Sequence, residues 1–177
     1  MKGIVDFVVS HSLLTPQMQI SKGSTWVNPS KYWVASNAEA LIQGQLRVAL
    51  KARWPICDIQ HEIPVRSGRF DLSVSFFDPD STTWTHYGVL ELKVLKDRSA
   101  TGKTSYGLPH NQAVVADGVA QAASYRDNIG ATWGMLCCFD HRQHADDECL
   151  ATLASNDSRD VEVHRWRIWN SSEPLRA

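Results

Sequence analysis

The sequence lacks a long apolar run and an excess of charge of one sign. No apolar segment approaches the about 20 residues that a bilayer-spanning helix needs, so no membrane partner is expected. The N-terminal "MKGIVDFVVSHSLL" has no small-residue cleavage site close behind it, and it is interpreted as a strand or loop rather than a signal peptide. The formal net charge is −1 at pH 7. That value gives no global attraction for nucleic acid and leaves only local basic patches for such a role.

The cysteines also lack the spacing of a metal site or a disulfide framework. The four cysteines, Cys57, Cys137, Cys138 and Cys149, contain no CxxC pair. This favours reduced thiols in a cytoplasmic protein over zinc or disulfides. Cys137 and Cys138 are neighbours in a strand-like run, so their side chains are expected on opposite faces of a sheet.

What is present indicates one domain. The chain has 177 residues, of which 43% are hydrophobic, and it shows no repeat, linker or low-complexity tract. The predicted elements are a helix from Ser36 to about Arg53, strands at 57–65, 69–77 and 87–95, a helix at 112–128, a buried strand in "ATWGMLCCF", a short helix at 145–154 and a last strand in "VEVHRWRIW". This order predicts an α/β sandwich with a mixed sheet over residues 1–177.

Two helix patterns carry further expectations. "SNAE" predicts a capping box, with Ser36 as the cap and Glu39 three residues later. In the second helix a stripe of alanines, which would let the helix lie close on the sheet, comprises Ala116, Ala120 and Ala123.

Two strands alternate apolar and polar residues, and their polar faces carry charge. Residues 69–77 place Phe70, Leu72, Val74 and Phe76 on one face and Asp71, Ser73 and Ser75 on the other. Residues 87–95 place Leu90, Leu92 and Val94 on one face and Val89, Glu91, Lys93 and Leu95 on the other. Acids and a lysine thus stand inside strongly apolar strands.

The register brings these charges together. If the turn "DPDSTT" is centred on Ser81, Asp71 and Glu91 are cross-strand neighbours with Cβ atoms about 4.5–5.5 Å apart. Lys93 lies on the same face, about 6–7 Å along the strand. Two facing carboxylates destabilise a sheet, and a divalent cation such as Mg²⁺ would compensate. The alternative is a surface cluster in which Lys93 pairs with both acids.

At this point the chain resembles a known family. "GRFDL…VLELKVLK", preceded by a helix with Glu39 and followed by "QAASY", is similar to the PD-(D/E)XK nuclease superfamily, closest to its RecB-type branch. The resemblance covers roughly residues 36–140, and Phe70 stands where the name-giving pattern has proline. It implies a restriction-endonuclease-like sandwich (helix, three strands, helix, strand) and metal-dependent hydrolysis of phosphodiester bonds.

The resemblance also implies site residues. Asp71, Glu91, the Leu92 carbonyl and the helical Glu39 would hold one or two Mg²⁺ or Mn²⁺ ions. Lys93 would be the catalytic lysine. Gln121 and Tyr125 match the downstream glutamine–tyrosine motif, and together with Asp117 they form a polar stripe on the second helix. Glu39 is preferred over its rival Glu62 on the resemblance alone, and it could instead serve only as the capping-box acid.

Two groups of basic residues are candidates for contacting the phosphates of a nucleic acid. For each group the alternative is that it is simply part of a solvated surface. They are Lys96, Arg98 and Lys103 after the third strand, and Arg47, Lys51 and Arg53 on the first helix. His110 and Trp84 are the histidine and tryptophan best placed for nucleic-acid contact. DNA is the expected partner, with RNA, a homodimer and membership of a larger nucleic-acid-processing complex left open. The alternatives to a nuclease are a catalytically silent nucleic-acid-binding or assembly module and a protein–protein partner.

Overall fold

The computed structural model describes residues 1–20, 23–65, 68–144, 148–151 and 160–175, with the backbone alone described for 62–65, 68 and 151. The helices are α1 (Lys2–Val8), α2 (Pro16–Gln19), α3 (Ala38–Arg53), α4 (Leu108–Ile129) and α5 (Glu148–Ala151). The strands are β1 (Trp26–Asn28), β2 (Trp33–Val34), β3 (Asp58–Val65), β4 (Gly68–Asp78), β5 (Thr83–Leu95), β6 (Trp133–Asp140) and β7 (Val161–Arg167). A π-helical turn spans Val9–Leu13, and 3₁₀ turns span Pro29–Lys31 and Glu173–Leu175.

A five-stranded mixed sheet forms the centre of the fold. Its strand order is β3-β4-β5-β6-β7, and β1 pairs with β2 in a separate small sheet. Strands β3, β4 and β5 pair antiparallel, whereas β5, β6 and β7 pair parallel. Helix α4 makes the crossover between the parallel neighbours β5 and β6, as such pairs require. The predicted α/β class with a mixed sheet flanked by helices is confirmed.

The two long helices cover opposite faces of the sheet. Buried residues of α3 share one apolar cluster with alternate strand residues, namely Ile42, Leu46 and Leu50 with Leu72, Leu90, Leu92, Cys137 and Phe139. Buried residues of α4 share a second cluster with the intervening positions, namely Val115 and Val119 with Leu95, Leu136 and Cys138. Cys137 and Cys138 therefore face opposite sides, as predicted, and all four cysteines are buried free thiols.

The N-terminal segment is helical, so the prediction of a strand or loop is wrong. Helix α1 runs directly into the π-helical turn. Val5, Val8 and Leu13 are buried along it and join the apolar cluster that includes α3. A short apolar segment does not reveal by its composition alone whether its period is helical or extended, and packing against α3 selects the helix.

The strand alternation also breaks at one point. Phe70 was predicted to share a face with Leu72, and this is wrong. It packs instead with Val89 and Tyr125 on the α4 side of the sheet. The backbone pairing of β4 with β5 reaches only to Leu72 opposite Leu90. Beyond that pair β4 is paired with β3 alone, and the period of two no longer holds across Asp71.

One prediction about the helices is wrong and one holds in part. Helix α3 begins at Ala38 with Asn37 at the N-cap position, and no side chain caps it, so the Ser36–Glu39 capping box does not form. Of the predicted alanine stripe of α4, Ala123 is buried, Ala120 half-buried and Ala116 exposed, and the buried face also includes Gly118, Val115, Val119 and Ala122. Of the predicted short helix at 145–154, the structure describes the part that forms α5. The rest of that range lies outside the described residues. Within the described chain, no helix combines the length and apolarity needed to cross a membrane.

Candidate active site

The site lies where the pairing of β4 with β5 ends. Leu72 stands opposite Leu90 and Ser73 opposite Val89, which is the predicted register; an irregularity after Val74 shifts it only nearer the turn. The pairing with β5 stops there, and the charge of Asp71, the adjoining residue of β4, acts on Glu91. The side chains of Glu91 and Lys93 point to the α4 face of the sheet, because their neighbours Val89 and Leu95 pack there.

Hydrogen bonds hold both the side chain and the backbone of Asp71. The Leu92 N–H donates to Asp71 Oδ2 at 2.7 Å, and Gln43 Nε2 donates to the Asp71 carbonyl at 2.8 Å. The Asp71 carboxylate therefore accepts the Leu92 N–H. In an uninterrupted pairing of β4 with β5, a backbone carbonyl of β4 would accept it. Sequence reasoning missed the buried Gln43. The available signal was its position one helical turn after Glu39, on the same face of α3.

Glu91 and Lys93 form a close, mostly buried ion pair. Lys93 Nζ lies 2.5 Å from Glu91 Oε1, and only 2% of Glu91 is exposed. Burial, and next the charge of Asp71, raise the pKa of Glu91 to about 7. Burial by itself lowers the pKa of Lys93, but Glu91 outweighs it and the pKa lies above its ordinary value. Lys93 therefore keeps its proton at neutral pH.

Helix α4 closes over this pair through a glycine. A Cβ added at Gly118 would lie 2.7 Å from Leu136 Cδ1 and 3.1 Å from Lys93 Cγ. The missing side chain of Gly118 thus leaves room for the aliphatic stem of Lys93 between helix and sheet.

Gly118→Ala is expected to lower the free energy of unfolding by about 1–2 kcal/mol, because overpacking outweighs the better helix propensity of alanine. Gly44→Ala on α3 is the matched control, since a Cβ there meets no atom within 4 Å. The control is expected to raise stability by about 0.5–1 kcal/mol. Urea unfolding of both variants checks this, and an equal response of the two would contradict the close packing at Gly118.

Gln121 and Tyr125 lie on the same side of α4 as Gly118. Gln121 Oε1 is buried and has no hydrogen-bond partner among the described residues. The Tyr125 hydroxyl accepts the Arg69 N–H at 3.3 Å, which joins α4 to the start of β4. Burial and next the charge of Glu91 raise the pKa of Tyr125. Asp117, the third member of the predicted stripe, is exposed.

Glu39 faces the same charges from the other helix. Burial raises the pKa of Glu39, Asp71 raises it further, and Lys93 and Lys96 oppose the shift. Glu39 is half-buried at the first turn of α3, within range of the charges of Asp71 and Lys93. The side chain of its rival Glu62 lies outside the described residues.

The predicted basic residues divide into two groups. Lys96 adjoins the site, and Arg98 and Lys103 are exposed on the loop that follows β5. Arg47 and Lys51 lie about 12 and 18 Å further along α3 than Glu39, at 1.5 Å per residue. Lys51 Nζ also donates to the Cys57 carbonyl at 2.6 Å. The structure therefore does not bring Arg47 and Lys51 to the site.

The residues present fit a hard divalent cation. No group of three His, Cys, Asp or Glu side chains in the described part of the chain is arranged to hold a metal. Mg²⁺ needs only one or two carboxylates, with waters and substrate oxygens completing its shell. Glu91 Oε2 is buried and, like Gln121 Oε1, has no hydrogen-bond partner among the described residues. A buried carboxylate oxygen without a donor is stabilised by a cation.

Comparisons with models of protein families, with curated proteins and with solved structures find no match for this chain. A function is therefore assigned on the geometry and charge of the site itself.

Proposed function

We propose that this protein is a metal-dependent nuclease that hydrolyses phosphodiester bonds, with DNA as the expected substrate, on a restriction-endonuclease-like fold. The observation that carries the proposal is the buried Glu91, one oxygen of which contacts Lys93 while the other has no hydrogen-bond partner among the described residues. A buried carboxylate with an unsatisfied oxygen is costly unless a further ligand is bound. The charges of Asp71 and Lys93 also act on the Glu39 carboxyl.

Four groups would hold the ion. They are the carboxylates of Asp71 and Glu91, the Leu92 carbonyl and, from α3, Glu39. A bound Mg²⁺ or Mn²⁺ supplies Lewis-acid polarisation of the scissile phosphate and lowers the pKa of a coordinated water. The Leu92 N–H orients the Asp71 carboxylate through a 2.7 Å hydrogen bond, so this ligand is held in place by the sheet.

Lys93 acts as a cation and donor rather than as a base, since its pKa lies above the ordinary value. Its ammonium group orients the attacking water and offsets the negative charge that develops on the phosphate. Gln121 offers its buried amide oxygen as an acceptor for that water. Lys96, Arg98 and Lys103 contact flanking phosphates, and binding weakens steeply as salt rises.

The direct test incubates the pure protein with labelled single- and double-stranded DNA and RNA in Mg²⁺, Mn²⁺ or EDTA. We expect cleavage with either metal and none in EDTA, because the metal lowers the barrier by several kcal/mol. Gel electrophoresis of the products measures it. Cleavage that persists in EDTA, or that Asp71→Asn leaves undiminished, would rule out the proposal.

A second candidate is a catalytically silent nucleic-acid-binding module with the same fold. The contact of Lys93 with Glu91 favours it, because an ammonium group already satisfies one carboxylate oxygen without any metal. This candidate predicts retention of nucleic acid without turnover and no heat of Mn²⁺ binding in calorimetry. Mn²⁺ binding that Asp71→Asn abolishes would count against it.

A further inference from the structure

The loop that joins β5 to α4, residues 96–107, borders the candidate active site. It begins directly after Leu95, two residues beyond Lys93 on the strand. Lys96, its first residue, is one of the charges that act on the Glu39 carboxyl. The loop is therefore within reach of a strand of nucleic acid whose phosphate lies at Lys93.

The loop is held in one conformation by many contacts. The Asn111 side chain accepts from the Lys96 N–H and donates to the Lys96 carbonyl, at 3.1 and 3.2 Å. The Ser99 N–H donates to the Thr104 carbonyl at 3.0 Å. Gly102 passes directly beneath Trp33, where an added Cβ would lie 2.2 Å from the ring. A surface ordered before binding loses little conformational entropy when a ligand arrives.

The loop and its neighbours carry basic charge interleaved with aromatic rings. The cations are Lys31, Lys96, Arg98 and Lys103. The acid within the loop is Asp97, whose carboxylate accepts the Gln143 N–H at 2.6 Å. Lys31 Nζ lies 5.1 Å from the centre of the Trp33 ring. This combination of cations and rings is typical of proteins that bind single strands.

One stack in particular presents a ring to solvent. Lys96 Nζ lies 5.4 Å from the centre of the Tyr106 ring. The His110 ring stacks on Tyr106, with centroids 4.6 Å apart and planes inclined by 29°. Tyr106 is half-buried, whereas His110 is exposed. Tyr106 thus holds a flat, accessible imidazole beside the site.

We propose that this loop binds single-stranded nucleic acid, with a base stacked on the His110–Tyr106 pair and phosphates contacted by Lys96, Arg98 and Lys103. The faces of the bases are accessible in a single strand, whereas in a duplex they are covered by their neighbours. Stacking on a ring is therefore a contact that a single strand makes and an intact duplex does not. The proposal rests on the nuclease function for the position of the strand, and it deepens that function by naming the substrate class.

The test measures binding without cleavage. A dye-labelled single strand and its duplex are titrated in EDTA at low salt and followed by fluorescence anisotropy. We expect the wild-type protein to bind the single strand more tightly. His110→Ala should weaken that binding about tenfold, within the range known for the loss of one stacked base, and leave duplex binding within about twofold. His110→Phe, which keeps a flat ring, should restore it.

His11→Ala is the matched control. His11 is also exposed and also stacked on a neighbouring ring, Phe7, with centroids 4.3 Å apart and planes inclined by 26°, but on α1. This variant should bind like the wild type. Equal or tighter wild-type binding of the duplex, no binding of the single strand, or the same loss in both histidine variants would overturn the proposal.

These titrations and the cleavage assay together separate this proposal from the nuclease function. Metal-dependent cleavage, with the duplex bound in EDTA at least as tightly as the single strand, overturns the loop proposal and leaves the function standing. Preferential binding of single strands that depends on His110, without any cleavage in Mg²⁺ or Mn²⁺, overturns the function and leaves the loop proposal standing.

Discussion

Lys93→Met is expected to lower the rate of Mg²⁺-dependent cleavage about 10²–10³-fold, the usual cost of removing one group that stabilises transition-state charge. Methionine keeps an unbranched stem that fits beside Gly118 but carries no charge. Binding of the uncleaved strand should change only a few-fold, because the ammonium acts mainly on charge that develops during the reaction. Single-turnover rates at saturating protein measure the chemical step.

Two comparisons make the result specific. Lys93→Arg restores a positive charge but not the compact geometry of an ammonium group, so we expect partial recovery at most. Circular dichroism and a thermal melt show whether each variant folds. A near-wild-type cleavage rate in folded Lys93→Met would contradict a catalytic role for this lysine.

Glu91→Gln is expected to abolish cleavage, with a loss of about 10³-fold or more, since several kcal/mol of metal-derived stabilisation disappear. The amide has nearly the same shape as the carboxylate, so packing against α4 is preserved. Calorimetry should show that Mn²⁺ no longer binds. If the variant still binds Mn²⁺ and still cleaves, Glu91 is not a ligand of the metal.

The Glu91→Gln variant also tests how the ionisation of Glu91 affects the stability of the fold, through the pH dependence of the melting temperature. The pKa of Glu91 in the folded protein is about 7, above its ordinary value of 4.5. The folded state therefore binds the proton more tightly, and the stabilisation from Glu91 is fully present below pH 4.5 and lost as pH rises to about 7. In EDTA, the melting temperature of the wild type should fall relative to that of Glu91→Gln across this window. Parallel pH profiles of the two proteins would contradict the burial of an ionisable Glu91.

Local patterns were sufficient for most of the secondary structure. Each of these elements shows in its own sequence which face it buries. This holds for the apolar stripe of α3, the period of two in β4 and β5 and the apolar run of β6. The N-terminal helix was mistaken for a strand or loop because its apolar residues are few and its period becomes apparent only when it packs against α3. The capping box failed because Asn37, and not Ser36, occupies the N-cap position of α3.

The candidate site was only partly predictable. Asp71, Glu91 and Lys93 could be related to one another because two strands and a turn fix their spacing. Gly118 and the Leu92 N–H could not be anticipated, since each acts through a contact between elements distant in the chain. For Gln43 the available signal was its position one helical turn after Glu39. Arg47 and Lys51 were grouped with the site by charge alone, and the length of α3 separates them from it.

The amino-acid sequence by itself determined the class of fold, the antiparallel register at Leu72 and Leu90, and the face on which Glu91 and Lys93 lie. These follow from periodicity, which acts over a few residues. Only the tertiary structure decided that Glu91 is buried with one oxygen lacking a hydrogen-bond partner in the described chain, and that α4 closes on Lys93 at Gly118. Burial and close packing depend on how helices settle on the two faces of the sheet, and no local pattern specifies that.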